Sequence, residues 1–324
     1  YTGAFGIGDI VLYVGAITQF GGGISRLFTN IGALINNSVY VDYMFETLDI
    51  ENKKYQGTLS VEKRDDIEYQ IEFKNVSFKY PNCEEYSLKN VNLKLNIGQK
   101  VAVVGQNGSG KTTMIKLLCR LYDPTEGVIT LNGVDIKKYN YDEYMDIFSV
   151  VFQDFALFPF TLEQNVATSM TVDEEKVVDC LEKVGFAERL QAMPDGLKTY
   201  LYKTFEKSGV DISGGEAQKI ALARALYKSS PFIVLDEPTA ALDPIAEAEI
   251  YSHFNEIVGN KTAIYISHRL SSCRFCNDIM VFDEGQLIER GSHEDLLKNE
   301  QSKYYQLWNA QAQYYDEKQE EKAG

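Results

Sequence analysis

Positive charge and cysteine are both scarce in this 324-residue chain, and each shortage excludes a class of protein. There are 32 lysines and arginines against 47 aspartates and glutamates, which gives a formal net charge of −15. Proteins that bind nucleic acid neutralise its phosphates with basic side chains, so nucleic acid is not expected as a partner. The five cysteines are odd in number and lack a framework spacing, which excludes a disulfide-stapled fold and favours reduced thiols in a cytosolic setting.

The composition also excludes general disorder, because 44% of the residues are hydrophobic and 24% are charged. The length suffices for one large domain or two ordinary ones. We see no internal repeat.

Charge is almost absent between Ile10 and Val41, where Arg26 is the only charged residue. This apolar stretch contains several glycines, a mixture typical of membrane helices. We interpret residues 1–50 as the last transmembrane helix of a membrane domain with its cytoplasmic extension; a buried soluble helix is the alternative, because polar amides dilute the hydropathy. The sequence begins at Tyr1 rather than Met, so we expect a fragment whose earlier spans are missing.

The rest of the chain divides by composition into three parts. Residues 51–66 are polar, charged and without a sustained period, which predicts a linker. Residues 67–315 are predicted to form one compact domain. The charged tail at 316–324 is expected to be disordered.

Two segments at the start of this domain alternate as antiparallel strands do. The first runs from Ile71 to Tyr80 and is predicted to place Ile71 and Phe73 on one face, with Val76 and Phe78 on the other. The second runs from residue 91 to 97. Three further segments are continuous apolar runs, typical of strands buried on both faces of a largely parallel α/β sheet. They are Lys100 to Val104, Phe232 to Asp236 and Thr262 to Ser267.

A phosphate-binding loop is predicted directly after the first buried run, where the sequence reads GQNGSGKTT and a helix is expected from Thr112 to Leu121. Glycines let backbone N–H groups point at an anion, and the helix N-terminus adds its positive dipole end. Lys111 is then expected to reach the β- and γ-phosphates of ATP, and the Thr112 hydroxyl to hold Mg²⁺. A plain glycine-rich turn is the alternative. The loop comprises Gly105, Gln106, Asn107, Gly108, Ser109, Gly110, Lys111, Thr112 and Thr113.

A second predicted element is the acid pair at the end of the run FIVLDEP. Asp236 ends a buried strand, where a carboxylate is costly unless it serves a cation, so we predict that it binds the same Mg²⁺. Glu237 follows it and is the candidate general base. A solvent-exposed acid pair is the alternative.

The third element is DISGGEAQ, in which Ser213 and Glu216 have the spacing of a capping box at the start of a helix. Together with the two elements above, this segment, residues 211–218 and called the signature below, makes the chain resemble the ATP-binding cassette (ABC) ATPases. The resemblance implies that Ser213, Gly214 and Gly215 contact the γ-phosphate of ATP bound to the opposite subunit, and therefore that the protein is a dimer.

Four more positions agree with the family in their order. The resemblance implies that Tyr80 stacks on adenine and that Gln153 contacts Mg²⁺ and the attacking water and also faces the membrane domain. It implies that Asp243 crosses the dimer interface and that His268 hydrogen-bonds the γ-phosphate. The expected catalytic set is thus Glu237, His268, Gln153 and Lys111, and the expected Mg²⁺ ligands are Thr112, Gln153 and Asp236.

The implied fold is a P-loop ATPase domain with a parallel-sheet core, an antiparallel β subdomain and a helical signature subdomain, preceded by a transmembrane helix. A membrane span fused ahead of the ATPase is similar to the exporter subgroup. That implies a homodimer or heterodimer with another half-transporter, in the cell membrane with the ATPase domain in the cytoplasm. The implied cargo is a peptide, drug or lipid, and the segment 204–211 resembles peptide and lantibiotic exporters.

Two features depart from the family pattern, since Ile212 and Glu216 stand where Leu and Gln are commonest. The alternatives are a DNA-maintenance ATPase, a regulatory cassette that binds ATP without hydrolysing it, or a metal or redox role for Cys273 and Cys276. The first is disfavoured by the short spacing between Lys111 and the signature. The second lacks support because the expected catalytic residues are present, and the third lacks a second cysteine pair.

Overall fold

The computed structural model describes residues 6–50, 56–62, 69–239, 258–259, 261–267 and 269–312. By their contacts the residues divide into two units, Tyr1–Tyr55 and Gln56–Gly324. The predicted tail at 316–324 and most of the predicted linker lie outside the described residues.

The described residues of the first unit, 6–50, contain one helix, α1, which spans the 42 residues Ile7–Leu48. None of its residues is buried, and its most apolar stretch has a mean hydropathy of 1.3. By length and composition α1 could cross a membrane, as the scarcity of charge between Ile10 and Val41 predicts.

The described part of the second unit contains strands and short helices. The strands are β1 Gln70–Phe78, β2 Leu88–Asn96, β3 Lys100–Val104, β4 Glu126–Leu131, β5 Val134–Asp135, β6 Phe148–Val151, β7 Phe232–Asp236, β8 Thr262–Ile266, β9 Asp278–Asp283 and β10 Gln286–Gly291. The α-helices are α2 Lys111–Leu118, α3 Tyr141–Asp146, α4 Leu162–Ala167, α5 Glu174–Lys183, α6 Ala187–Gln191, α7 Gly214–Lys228 and α8 His293–Leu297, and residues 303–312 are also helical. Short 3₁₀ segments occur at Ile136–Lys138, Gly196–Lys198 and Leu270–Phe275.

The core of this unit is a six-stranded sheet in the order β10-β9-β3-β8-β7-β6. All neighbouring pairs are parallel except β9 and β10. Alternate side chains of β3 pack on opposite faces: Val101 and Val103 join the cluster that contains β1 and α2, whereas Ala102 and Val104 join the cluster that contains α5 and α7. Burial on both faces explains why the parallel strands are continuous apolar runs.

A second sheet of four antiparallel strands, in the order β2-β1-β4-β5, covers one face of the core. The prediction that β1 buries its two residue pairs on opposite faces is wrong. Both pairs are buried in the same cluster: Ile71, Phe73, Val76 and Phe78. The pairing of β1 with β2 shifts register between Phe73 and Val76, and Asn75 has φ of 51°. A bulge adds one residue and reverses the alternation, which a strict two-residue period cannot anticipate.

The described part of the predicted linker, residues 56–62, belongs to the second unit and is hydrogen-bonded to it. Leu59 donates its N–H to the carbonyl oxygen of Lys138 at 3.0 Å, and its own carbonyl accepts the Asn140 N–H at 2.8 Å. Val61 is buried, and its N–H donates to Glu143 Oε2 at 2.7 Å. Residues 56–62 of the predicted linker therefore form a segment docked on the second unit.

Candidate active site

The predicted phosphate loop joins β3 to α2, and its glycines are required by geometry. Gly105 has φ of 148°, and a Cβ built there would lie 2.2 Å from the carbonyl oxygen of Phe282. Gly110 has φ of 103° and is the N-cap of α2, with no side chain capping the helix. A residue with a Cβ would be strained at both positions, so the loop can close only with glycine.

The same loop fits a chain of phosphates. The first N–H groups of a helix have no intrahelical acceptor, and no side chain caps those of α2. At Gly108, φ is 78° and a Cβ would meet nothing within 4 Å, so the backbone there is open to a ligand. Ser109 is 3% exposed, and its Oγ has no hydrogen-bond partner in the described structure. These donors suit the anionic oxygens of a nucleotide.

Lys111 is buried beside the loop that precedes it. Its Nζ donates to the carbonyl oxygens of Gly105 and Gln106, each at 2.9 Å. Burial lowers the pKa of the ammonium, while the nearby charges of Glu237 and Asp236 act in the opposite direction. A desolvated cation between carboxylates and an open loop is well placed to neutralise phosphate charge.

Asp236 and Thr112 meet at the base of the loop. Asp236 is the last residue of β7 and is 2% exposed. The Thr112 hydroxyl donates to Asp236 Oδ2 at 3.0 Å. Within the described ranges, no group of three or more His, Cys, Asp or Glu side chains could hold a metal ion. The pair fits Mg²⁺, which binds hard oxygen ligands and commonly takes only one or two from the protein, the rest coming from phosphates and water.

Glu237 follows β7 in a left-handed conformation, with φ of 52°. Its N–H donates to the Ile266 carbonyl at 3.0 Å, and its carbonyl accepts Gln218 Nε2 at 2.8 Å. Its Oε2 accepts Gln153 Nε2 at 3.1 Å. The backbone of this residue is thus held from two sides while its carboxylate is oriented by Gln153. A bulky residue held at positive φ is uncommon and is typical of functional sites.

Tyr80 lies at the opposite side of the loop, two residues after β1, and is half-buried. Its hydroxyl is 3.1 Å from the Thr113 hydroxyl. Its ring packs edge-on against Phe78 and Tyr122, with centroids 5.0 and 5.2 Å away, and Lys116 Nζ lies 5.7 Å from its centroid. The ring is held in place by these contacts.

These groups surround one cleft of about 540 Å³. It therefore combines the predicted loop, the predicted glutamine and the predicted base, and among its lining residues none comes from the signature segment. The lining residues are Tyr80, Ser87, Asn107, Gly108, Ser109, Gly110, Lys111, Thr112, Thr113, Gln153 and Glu237.

The signature forms the N-terminus of α7. Ser213 is the N-cap, its Oγ accepts the Glu216 N–H at 3.3 Å, and Glu216 Oε2 accepts the Ser213 N–H at 2.8 Å, so the predicted capping box is present. Ser213 and Gly214 are exposed, whereas Gly215 is half-buried. The N–H groups of Gly214 and Gly215 are in the first turn and have no intrahelical acceptor.

The structure brings the phosphate loop, Gln153, Asp236 and Glu237 together, while His268 and Asp243 lie outside the described residues. Sequence reasoning missed Ser87, which lines the cleft, and Gln218. Nothing in the sequence signals Ser87. The amide of Gln218 could have been noticed, because it shares a helix face with two buried apolar residues four and seven positions further on.

Comparison with known proteins agrees with this geometry. Residues 88–240 match the family described as ABC transporter. The chain is 36% identical over 307 residues to the subtilin transport ATP-binding protein SpaT of Bacillus subtilis, a match that covers 92% of this chain and 48% of that protein. It is 35% identical over 313 residues to the nisin transport ATP-binding protein NisT of Lactococcus lactis, covering 96% of this chain and 52% of that one.

The ATP-dependent lipid A-core flippase of Escherichia coli K12 is 35% identical over 277 residues, which cover 85% of this chain and 46% of the flippase. This chain thus spans about half the length of the curated relatives that it matches. A solved structure of a bacterial Atm1-family ABC exporter with ATP bound is also similar, at a TM-score of 0.73 and 30% sequence identity. The match covers 95% of this chain and 53% of the exporter chain. The chain therefore carries an ABC transporter ATP-binding domain and is homologous to the bacterial ABC exporters.

Proposed function

We propose that this chain binds and hydrolyses ATP as the energy-coupling part of an exporter. The observation that carries the proposal is the meeting, at one cleft, of a buried lysine, a hydroxyl that contacts a buried carboxylate beneath it, and a glutamate oriented by an amide. Each of these groups meets a separate requirement of phosphoryl transfer: charge neutralisation, cation binding and activation of the nucleophile.

For nucleotide binding, we assign the phosphates to the loop from Gly105 to Thr113 and the adenine to Tyr80. An aromatic ring that lines the cleft beside a phosphate loop can stack on a base, and the edge-on contacts of Tyr80 keep its ring in one orientation. Thr112 and Asp236 would hold Mg²⁺ with Gln153 as a further ligand, and the ion would neutralise charge that develops on the phosphates.

For hydrolysis, we assign Glu237 Oε2 as the atom that takes a proton from the attacking water. Gln153 donates to that same atom in the structure, so it can keep the carboxylate oriented toward the loop. Lys111 balances the phosphate charge. The role of His268, which the family resemblance implies, remains part of this proposal.

For the membrane, we propose the domain division 1–50, 51–66, 67–315 and 316–324, with α1 as a span and its continuation. A helix of 42 residues is about 63 Å long at 1.5 Å per residue, roughly twice the thickness of the hydrocarbon core. One half can therefore cross a cell membrane while the other extends into the cytoplasm, where the ATPase domain would lie.

An exposed aromatic groove supports a contact between the ATPase domain and a membrane domain. A groove of about 590 Å³ begins a few residues after Gln153, and its rings Phe158 and Phe160 are 52% and 47% exposed. Apolar patches of this kind mark interaction sites. The position agrees with the resemblance, which implies that Gln153 faces the membrane domain.

For the cargo, we propose a peptide. Two relatives that match more than nine-tenths of this chain are named for subtilin and nisin transport, and the segment 204–211 resembles peptide and lantibiotic exporters. A lipid is the second candidate, because the lipid A-core flippase is a relative of similar identity.

For the assembly, we propose a homodimer or a heterodimer with another half-transporter. The cleft has no lining residue from the signature, and Ser213 and Gly214 are exposed. An anion-binding helix N-terminus on the surface of one chain can complete the cleft of another.

The test is the Glu237→Gln variant of the full chain in a membrane-mimetic detergent. Gln keeps the shape and leaves Asp236 intact, so ATP should still bind. Hydrolysis should fall by about 10²- to 10⁴-fold because the base is lost. ATP should then trap a dimer that size-exclusion chromatography resolves.

The control is Glu175→Gln, which removes an exposed acid in the first turn of α5. It should hydrolyse ATP at the wild-type rate. A Glu237→Gln protein that hydrolyses ATP as fast as this control would refute the assignment of the base.

A further inference from the structure

Glu216, which departs from the commonest residue of the signature, is paired with an arginine from a different helix. Glu216 Oε1 lies 2.6 Å from Arg189 Nε, on α6. Its other oxygen, Oε2, accepts the backbone N–H of Ser213. One carboxylate thus connects the N-cap of α7 to a positive charge outside the signature.

The carboxylate is ionised in this position. Burial alone would raise the pKa of Glu216, but hydrogen bonds from Ser213 and the adjacent charge of Arg189 outweigh it and hold the pKa below its ordinary value. A full negative charge therefore lies in the first turn of α7, next to the free N–H groups of Gly214 and Gly215.

That charge suits an isolated helix but opposes an anionic ligand. A carboxylate near a helix N-terminus interacts favourably with the helix dipole. A phosphate approaching the same N–H groups would instead be repelled by it, since like charges at short range disfavour each other. The Arg189 guanidinium is the group in the described structure that pairs with Glu216 and can cancel this repulsion.

A second contact shows that the pair is not needed merely to join the two segments. Lys219 lies three residues after Glu216 on the same face of α7, and its Nζ donates to the Gly185 carbonyl at 2.9 Å. Gly185 directly precedes the turn into α6. Two contacts thus join the first turns of α7 to the region of α6, Glu216 with Arg189 and Lys219 with Gly185. Only the first of them involves the signature carboxylate.

We propose that Arg189 is a positioning residue of the nucleotide site: by pairing with Glu216 it neutralises the signature, so that the terminal phosphate of a nucleoside triphosphate held by a partner chain can reach the N-terminus of α7. This inference rests on the proposed function, in which the signature acts on ATP bound to the other chain. It assigns to α6 a part in ATP-driven closure of the dimer.

The test compares four variants of the full chain: Arg189→Gln, Glu216→Gln, the double variant and Lys219→Gln. The readout is the ATP concentration that gives half-maximal dimer formation, measured by fluorescence energy transfer at low and at high salt. Arg189→Gln should raise that concentration by about three- to fivefold at low salt, the size expected for a charge contact that water partly screens. The increase should shrink at high salt, because screening weakens the repulsion between the unpaired Glu216 carboxylate and the phosphate.

The double variant should return to the wild-type concentration, because no carboxylate is left to neutralise. Glu216→Gln alone should not need more ATP than the wild type. Lys219→Gln should match the wild type although it also loses a cation and a contact between the same segments. Binding of a fluorescent ATP analogue to the dilute, monomeric chain should be equal in all variants, which verifies that each is folded around its own phosphate loop.

The proposal is overturned if the Arg189→Gln variant forms the dimer at the wild-type ATP concentration. It is also overturned if the double variant or Lys219→Gln needs as much ATP for dimer formation as Arg189→Gln does. The last two results would assign Arg189 a purely structural role. Failure of the proposed function is distinguishable, since the wild-type chain itself would then form no dimer with ATP.

Discussion

Two adjacent carboxyl groups, Asp236 and Glu237, have different surroundings although they are neighbours in sequence. Asp236 ends a strand and is 2% exposed, with a hydroxyl donor at 3.0 Å. Glu237 has left the strand at φ of 52° and is only half-buried. A change of backbone region between the two directs one carboxylate to the Thr112 hydroxyl and the other into the cleft. The proposed division between cation binding and proton transfer therefore depends on the conformation of single residues.

The cysteines give a prediction at the same scale. Cys83 is exposed, whereas Cys119, Cys180, Cys273 and Cys276 are buried. Burial raises the pKa of Cys119 and of Cys276 to about 12, so neither forms the reactive thiolate near neutral pH. We expect a thiol reagent at pH 7 to label one cysteine per native chain within minutes and five after denaturation.

The Cys83→Ser variant supplies the control, and its native form should stay unlabelled. Rapid labelling of Cys273 or Cys276 in the native chain would contradict their burial and would support a redox role for that pair.

At the scale of elements, the docked linker segment at residues 56–62 is held by the first turn of α3. Glu143 accepts the Val61 N–H at 2.7 Å and the Ser60 hydroxyl at 3.4 Å, and α3 continues directly into β6, which precedes Gln153. A carboxylate that receives a largely buried N–H is difficult to replace, because the donor would be left without an acceptor.

We therefore expect Glu143→Ala to lower the free energy of unfolding of the second unit by about 1–2 kcal/mol. Urea denaturation of the full chain, followed by the fluorescence of Trp308, measures this change. Proteolysis within residues 56–62 should also become faster.

Asp142→Ala is the matched control, since Asp142 lies in the same first turn of α3 and is exposed. It removes the same charge from the helix N-terminus but leaves the linker contacts intact. Equal losses of stability in both variants would show that the helix dipole, rather than the docked segment, accounts for the effect.

At the scale of the whole molecule, the second unit places the cleft and the signature apart. The cleft is built on the carboxyl ends of β3 and β7, and the signature opens α7, on the side of the helical cluster. If the signature serves a second chain, one defective subunit can be complemented by another.

The expected outcome is recovery of activity on mixing two inactive variants, Lys111→Ala and Ser213→Ala. In the mixed dimer one site carries both defects and the other carries none, so trapping of nucleotide and some hydrolysis should return. Each variant alone should trap little nucleotide, because losing the phosphate-balancing lysine or the signature hydroxyl disables both sites.

Dilution of the wild-type chain is the independent measurement, and its specific activity should fall below the dimer dissociation constant. Activity strictly proportional to concentration, together with no recovery in the mixture, would rule out a site shared between chains.

Local features of the sequence determined several elements closely. The runs at Lys100 to Val104 and Phe232 to Asp236 match β3 and β7 residue for residue, because strands buried on both faces need continuous apolar side chains. The phosphate loop was equally predictable, since its glycines follow from backbone geometry over nine residues. The helix after it begins at Lys111 and ends at Leu118, rather than running from Thr112 to Leu121 as predicted.

Tertiary structure alone decided which distant groups meet. Thr112 and Asp236 are 124 residues apart, and Gln153 and Glu237 are 84 apart, so neither hydrogen bond follows from a local pattern. The cost of a buried carboxylate predicted that Asp236 shares a cation with Thr112, and the family resemblance added Gln153 to the site. The bulge in β1, the Gln218 contact and the pairing of Arg189 with Glu216 were not foreseen. Periodicity reports which face of an element is buried, whereas these contacts depend on how packed elements are aligned, and that is set by the fit of the whole core.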